Sequence, residues 1–297
     1  MKHWIKAFRL RTLPLALASI GMGTFLAAAS GSFRGDIFAL CALTTIFLQI
    51  LSNLANDYGD SIHGADSVKR EGPSRAVQSG AITKAAMRRA IGLFVVLSLA
   101  SGLSLIYLAF GWSVQVLAVF TGIGVLCIIA AITYTAGWKP YGYAGLGDIS
   151  VLLFFGFVAV MGSAYLYEKQ LNWEYILPAI STGLFSVAVL NVNNIRDIES
   201  DKVAGKYSIP VRLGRDRAVV YHWTILIVGY LATVVYIALN FSSPFQLMVL
   251  LVIPLLVKNA RAVKVYDEAA KLDPFLKQMA LSTLFFVILF GLGQLIA

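Results

Sequence analysis

Two short polar stretches in this chain hold the residue types that bind a phosphorylated substrate through a metal ion. The first reads N-L-A-N-D-Y-G-D-S-I-H-G-A-D from Asn53 to Asp66 and is followed by Lys69, Arg70, Glu71 and Arg75. The second reads N-V-N-N-I-R-D-I-E-S-D-K-V-A-G-K from Asn191 to Lys206. Asn53, Asn56 and Asp60 in one, and Asn193, Asp197 and Asp201 in the other, stand three or four residues apart. On a helix that spacing puts side chains on one face. Of the 15 acidic residues in the chain, Asp57, Asp60, Asp66, Glu71, Asp197, Glu199 and Asp201 fall in these stretches. Each stretch has cations nearby: Lys69, Arg70 and Arg75 in one, Arg196, Lys202, Lys206 and Arg212 in the other. Carboxylates alone would be solvated charge. Carboxylates beside Lys and Arg are what a magnesium diphosphate needs, because magnesium takes one or two carboxylates and leaves its other positions for water and phosphate. The cations take the remaining phosphate oxygens, Arg in bidentate fashion. Both stretches contain N-x-x-x-D, Asn56 to Asp60 and Asn193 to Asp197, so an internally duplicated fold could grip one diphosphate from two sides. Loops in which acids merely balance bases would explain either stretch, but not the pair.

The elements that position these residues are membrane helices. Of the 297 residues, 59% are hydrophobic and 13% charged, with mean hydropathy +0.78, whereas a soluble domain is about 25% charged. Apolar runs of the length that crosses a bilayer recur at about 14 to 32, 36 to 56, 89 to 109, 114 to 134, 146 to 166, 174 to 195, 217 to 240, 244 to 257 and 278 to 297. The eighth is short and holds Pro254, which suits a tilted, kinked or re-entrant piece. Of the 24 Lys and Arg residues, all but Arg34 and Lys169 fall in the amino-terminal tail or in alternate joints. The positive-inside rule then predicts a cytoplasmic amino terminus, with both polar stretches on the cytoplasmic side. The same division explains the net charge of +9 without nucleic acid. The first run resembles a signal peptide, but eight further spans make it an uncleaved anchor. Cys41 and Cys127 lie within apolar runs with no Cys-x-x-Cys pattern, so neither a disulfide nor a metal site is implied. No linker or composition shift divides the chain, so residues 1–297 read as a single membrane-embedded domain.

Five further segments complete a resemblance: R-T-L-P at Arg11 to Pro14, G-P-S-R at Gly72 to Arg75, G-L-G-D at Gly145 to Asp148, N-N-I-R-D-I-E-S-D ending at Asp201, and V-R-L-G at Val211 to Gly214. Together with S-N-L-A-N-D-Y-G-D at Ser52 to Asp60 they resemble the UbiA-type intramembrane aromatic prenyltransferases over the whole chain. The resemblance implies an all-α integral membrane fold, a bundle of about nine transmembrane helices around a central cavity. The cavity opens sideways to lipid, and cytoplasmic loops cap the site. It further implies a multi-pass protein of the bacterial cytoplasmic (inner) membrane. The superfamily pattern N-D-x-x-D-x-x-x-D would put an acid at Gly64; here the acid is Asp66, as in the branch that prenylates 1,4-dihydroxy-2-naphthoate. The expected reaction joins an all-trans polyprenyl diphosphate to that aromatic acid, with loss of diphosphate and carbon dioxide.

On this reading Asp57, Asp60, Asp197 and Asp201 are catalytic and hold Mg2+, with Asn56 and Asn193 as supporting ligands. Substrate contacts are expected from Asn53, Asn56, Asp66, Lys69, Arg70, Arg75, Asn193, Arg196, Lys202 and Lys206. Arg11, Lys139, Tyr134 and Asp148 are expected to bind substrate as well, at the level where Tyr141 and Tyr143 also cluster. The alternatives are prenylation of another acceptor such as 4-hydroxybenzoate, or a cation-coupled transporter. A transporter would place its acids at mid-membrane. A metal-dependent alcohol phosphotransferase would carry one extended D-x-x-D-G-x-x-A-R signature, which this chain lacks.

Overall fold

The computed structural model describes residues 2–63 and 75–297, and the regular structure among them is entirely helical. Asp66, Lys69 and Arg70, expected at the site, lie outside the described residues, as does Gly64. Nine described helices are long and apolar enough to cross a membrane: Lys2–Ala29, Gly35–His63, Lys84–Phe110, Val114–Thr133, Gly147–Glu168, Trp173–Arg196, Arg215–Leu239, Pro244–Val265 and Ala269–Ile296. They form spans one to nine of a multi-pass bundle. Both polar stretches fall at the ends of even-numbered spans, and so on the face where the chain begins, here the charged face.

Several helices outrun the hydropathy that announces them. Span eight continues to Val265 because Lys258, Asn259, Arg261 and Lys264 occupy its last turns, and helical hydrogen bonding is indifferent to their polarity. Its first half, Pro244–Val252, is wound as a tighter 3₁₀ helix before the α-helix Ile253–Val265. Pro254 sits in the first turn of that α segment, where its missing N–H is not needed. Span one is interrupted at Arg9, a left-handed residue with φ 47°. The Thr12 hydroxyl donates to the Arg9 carbonyl, and the helix restarts at Leu13 with Pro14 in its first turn. The R-T-L-P segment is therefore a helix restart.

Spans two, three and four form one packed group, spans six to nine another, and spans one and five join them. Leu51, Leu54 and Met87 are fully buried in the first group, and Phe185, Phe286 and Phe290 in the second. The second group also shares a buried polar chain. Asn191 of span six meets His222 Nδ1 at 3.2 Å, His222 Nε2 meets Asn259 Oδ1 at 3.0 Å, and Asn259 Nδ2 donates to Gln278 Oε1 at 2.6 Å. Hydrogen bonds of this kind tie helices together where lipid offers no partner. Span five is π-wound over Leu152–Met161, a geometry that gathers at functional sites. There a Cβ at Gly156 would stand 2.7 Å from the Ala179 carbonyl, so only glycine admits span six so closely. Span four packs on spans two and three, and only 6% of its most apolar stretch is buried.

Candidate active site

Span two runs unbroken through the first stretch to His63, so the expected helix face exists: Asn53, Asn56 and Asp60 line one cavity. Asn53 Nδ2 donates to Phe8 O at 2.9 Å and Thr12 Oγ1 at 3.0 Å, fastening the amino-terminal segment to span two. Asn56 Oδ1 accepts the Thr135 hydroxyl at 3.0 Å. This approach depends on Gly59, where a Cβ would stand 2.5 Å from the Thr135 backbone. Asp60 is buried and bound on both oxygens: Tyr143 donates to Oδ1 at 2.8 Å, and Arg75 pairs with Oδ2. Arg75 also donates to the Asn56 carbonyl at 2.6 Å.

Asp57 departs from the expectation. One residue on from Asn56, its side chain turns about 100° around the helix and does not line the cavity. Its oxygens accept the backbone N–H groups of Ala76 and Val77 at 3.0 and 3.1 Å. The geometry makes Asp57 an anchor of the segment that delivers Arg75.

The second stretch also differs in form. The helix of span six ends at Arg196, Asp197 leaves helical geometry at φ −100° and ψ 13°, and the chain restarts as Ile198–Val203. The bend is confined to that residue: the Asp197 N–H still donates to Asn193 O at 3.1 Å and the Asp201 N–H to Asp197 O at 2.8 Å, so Asn193, Asp197 and Asp201 stay on successive turns. Arg196, nearly fully buried, closes onto this bend: Nε and Nη2 form a fork on Asp197 at 2.8 and 2.7 Å. Its Nη2 also donates to Asn193 Oδ1 at 2.9 Å, and Nη1 pairs with Asp273 of span nine at 2.7 Å. Asp273 in turn takes Arg11 of the amino-terminal segment at 3.3 Å. Asp201 pairs with Lys206 at 2.9 Å.

The two stretches share one electrostatic field. Burial raises the Asp201 carboxyl above its usual range, Lys206 opposes the rise, and the Asp197 and Asp60 carboxylates add to it. Burial opposes the charge on Lys206, yet Asp201 chiefly, with Asp60, holds its ammonium above the usual range. Burial also pushes the Tyr134 phenol up to about 12, and burial together with Asp60 raises Tyr143. Both phenols therefore keep their protons, and Tyr143 donates its own to Asp60.

These groups surround the mouth of a cavity of about 900 Å3. Its wall contains five cations, Arg9, Arg11, Arg75, Lys206 and Lys277, against one carboxylate, Asp60, with Tyr134 and Asn193 beside them. The rest is mainly aliphatic and aromatic, including Phe154, Phe155 and Phe157 from the π-wound part of span five. Leu103, Val119 and Ile123 line the cavity while remaining 43%, 56% and 38% exposed, so it opens sideways onto the lipid-facing surface.

Other expected residues lie farther off. Asp148 is buried and accepts the Tyr221 hydroxyl at 2.7 Å. Lys139 rests 5.1 Å above the exposed Trp138 ring, and Lys202 is exposed. None of the three lines the cavity, nor do Arg196, Asp197 and Asp201, which reach it through their partners Asn193 and Lys206. Tyr143, Arg9, Lys277 and Asp273 were not among the residues assigned to the site. Tyr143 had a signal in the tyrosine cluster, held here because Arg212 donates to Ala144 O and Tyr207 O. Asp273 had none, since only folding brings it to Arg196.

Among the described residues, no three His, Cys, Asp or Glu side chains form a ready-made metal cage. Magnesium does not need one, taking one or two carboxylates and completing its shell with water and phosphate. Hard oxygens from two stretches, mutually repelling and flanked by cations, fit that chemistry.

A cationic mouth lined by the Asp60 carboxylate and by Lys206, which carries Asp201 as its partner, opens into an apolar chamber inside a membrane bundle and defines an intramembrane site for an anionic head on a long apolar tail. The chain belongs to the UbiA prenyltransferase family, whose sequence profile matches residues 15–290. It is 46% identical to the 1,4-dihydroxy-2-naphthoate octaprenyltransferase of Haemophilus influenzae, over 100% of this chain and 96% of that protein. Solved structures share the fold at low identity. A UbiA homologue from Aeropyrum pernix has a TM-score of 0.70 at 16% identity, covering 97% and 98% of the two chains. One from Archaeoglobus fulgidus bound to DMAPP and Mg2+ has a TM-score of 0.63 at 15% identity, covering 99% of each.

Proposed function

We propose that this protein transfers an all-trans polyprenyl group from polyprenyl diphosphate to 1,4-dihydroxy-2-naphthoate, releasing diphosphate and carbon dioxide to give demethylmenaquinone. The observation that carries the reading is the convergence of Asp60–Arg75 and Asp201–Lys206, from the two halves of the chain, at the polar end of an apolar cavity. The likeness to the Haemophilus enzyme supports the choice of acceptor. The chain acts as one domain in the bacterial inner membrane, with the charged face and amino terminus on the cytoplasmic side.

Asp60, Asp197 and Asp201, with Asn56 and Asn193, would hold magnesium, which when bound supplies Lewis-acid neutralisation of the departing diphosphate. Arg75 and Lys206 take phosphate oxygens, and Arg11 borders the same mouth. Arg196 positions Asn193 and Asp197 through its fork, and Asp57 positions Arg75. As the allylic carbon–oxygen bond breaks, the apolar walls keep water from the cation until the electron-rich ring attacks. The protonated phenol of Tyr143 holds Asp60 in place, and that of Tyr134 borders the head-group end of the cavity. The acids of the described spans lie at helix ends, which does not suit a transport pathway.

The test is product mass from purified protein, magnesium, a polyprenyl diphosphate and a panel of aromatic acids. The prenylated, decarboxylated naphthoate should dominate, and carboxyl label should leave as carbon dioxide in step with product. Prenylated 4-hydroxybenzoate at a comparable rate would reject the acceptor.

A further inference from the structure

The cavity reaches far beyond its polar mouth. On span two its wall extends from Asn56 to Cys41, fifteen residues of helix and about 22 Å of rise. Among the wall residues far from the mouth are Phe120, near the start of span four, and Tyr165, near the end of span five. Their ring centroids lie 5.6 Å apart, and Phe110, the last residue of span three, packs on them at 5.3 and 5.8 Å. Three rings thus bridge spans four and five at the end opposite the mouth.

Before that end, three wall positions are glycines: Gly102, Gly124 and Gly162, one each from spans three, four and five. A Cβ at Gly124 or Gly162 would meet nothing within 4 Å, and at Gly102 only Thr44 Cγ2 at 3.8 Å. Other glycines of the bundle, such as Gly23, Gly183 and Gly291, lie where a Cβ would strike a neighbouring helix. Glycine inside a helix is destabilising relative to alanine. Close helix packing compensates at those positions, but not at the three on the cavity wall. Ser98, one turn toward the mouth from Gly102, lines the same cavity, and its hydroxyl is buried without a hydrogen-bond partner.

Resting on the prenyl-donor reading above, we propose that the far half of the cavity sets tail-length preference. Phe120 and Tyr165, backed by Phe110, fix the depth at which a tail must stop or turn toward lipid, and Gly102, Gly124 and Gly162 keep the bore open.

The test uses the full chain in nanodiscs with geranyl, farnesyl, geranylgeranyl and octaprenyl diphosphates. Gly124→Leu and Gly162→Leu should lower kcat/KM for the geranylgeranyl and octaprenyl donors about tenfold or more relative to geranyl. Phe120→Ala and Tyr165→Ala should move the ratio about threefold or more toward long donors. Gly122→Leu, on span four but off the cavity wall, should keep the wild-type profile. An equal fall for every donor, or unchanged ratios in all four wall variants, overturns the proposal. Thermal stabilisation by each diphosphate, measured without acceptor, gives an independent length ladder. If the wild type forms no prenylated product, the reaction reading fails, and a ladder of the same shape in wild type and wall variants separately rejects the length proposal.

Discussion

Replacing Gly59 with alanine should damage the site without touching a charge. The added Cβ would lie 2.5 Å from the carbonyl carbon, carbonyl oxygen and hydroxyl of Thr135, where ordinary contact begins at 3.4 Å. Two of these atoms are backbone, so no rotamer relieves the clash, and the segment after span four must retreat by about 1 Å. That movement separates Thr135 from Asn56 Oδ1 and the Ala55 carbonyl, now 3.0 and 3.2 Å away. Overpacking of this kind costs about 1–3 kcal/mol, and a misplacement of ~1 Å near the chemistry costs about 10²-fold in rate. The assay is prenyl transfer with thermal unfolding, alongside Gly92→Ala, where a Cβ meets nothing. The Gly92 variant should gain about 0.5–1 kcal/mol in stability with unchanged turnover. If Gly59→Ala kept turnover within threefold of wild type, the inferred dependence of the site on this approach would be wrong.

Asp60→Asn and Asp201→Asn should each lower turnover by about 10² or more while the protein still inserts and remains monodisperse; near-normal turnover in both would remove the two-stretch model. Asp57→Asn should instead weaken donor binding, raising KM more than it lowers kcat, because a neutral amide holds the Ala76 and Val77 N–H groups less well; a changed magnesium requirement would return Asp57 to the metal. Chelation should abolish turnover and magnesium restore it, and full activity in chelator would sink the mechanism. Membrane-impermeant amine reagents should reach Lys139 and Lys202 only from the cytoplasmic side and Lys169 only from the other, and the reverse pattern would invert the topology.

The bundle and half of the site could be read because helical spacing survives into the structure. Asn53, Asn56 and Asp60 share a wall since span two continues unbroken to His63. The same period does not show where Asp57 turns, because an acid next in sequence to a cavity residue lies on another face, and its amide partners are 19 and 20 residues away. The second stretch carries a bend that spacing does not encode: Arg196 folds back onto Asp197 where the helix is interrupted for one residue. Asp273, which joins Arg11 to Arg196, is an ordinary interfacial acid in sequence. Span eight looked short because hydropathy measures affinity for lipid, while helix length is set by hydrogen bonds.

Span four has a consequence for the membrane as a material. A helix held by neighbours on one side and by acyl chains on the others has little packing to fix its tilt, so a mismatch with the hydrocarbon thickness bears on it more than on its buried neighbours. Because this helix is also a wall of the reaction chamber, thinning or stiffening the bilayer changes the shape of the chamber. Catalytic rate should therefore follow lipid chain length and sterol-like ordering at fixed substrate concentration, and detergent micelles, which impose no fixed thickness, should report a different enzyme from the one in the cell.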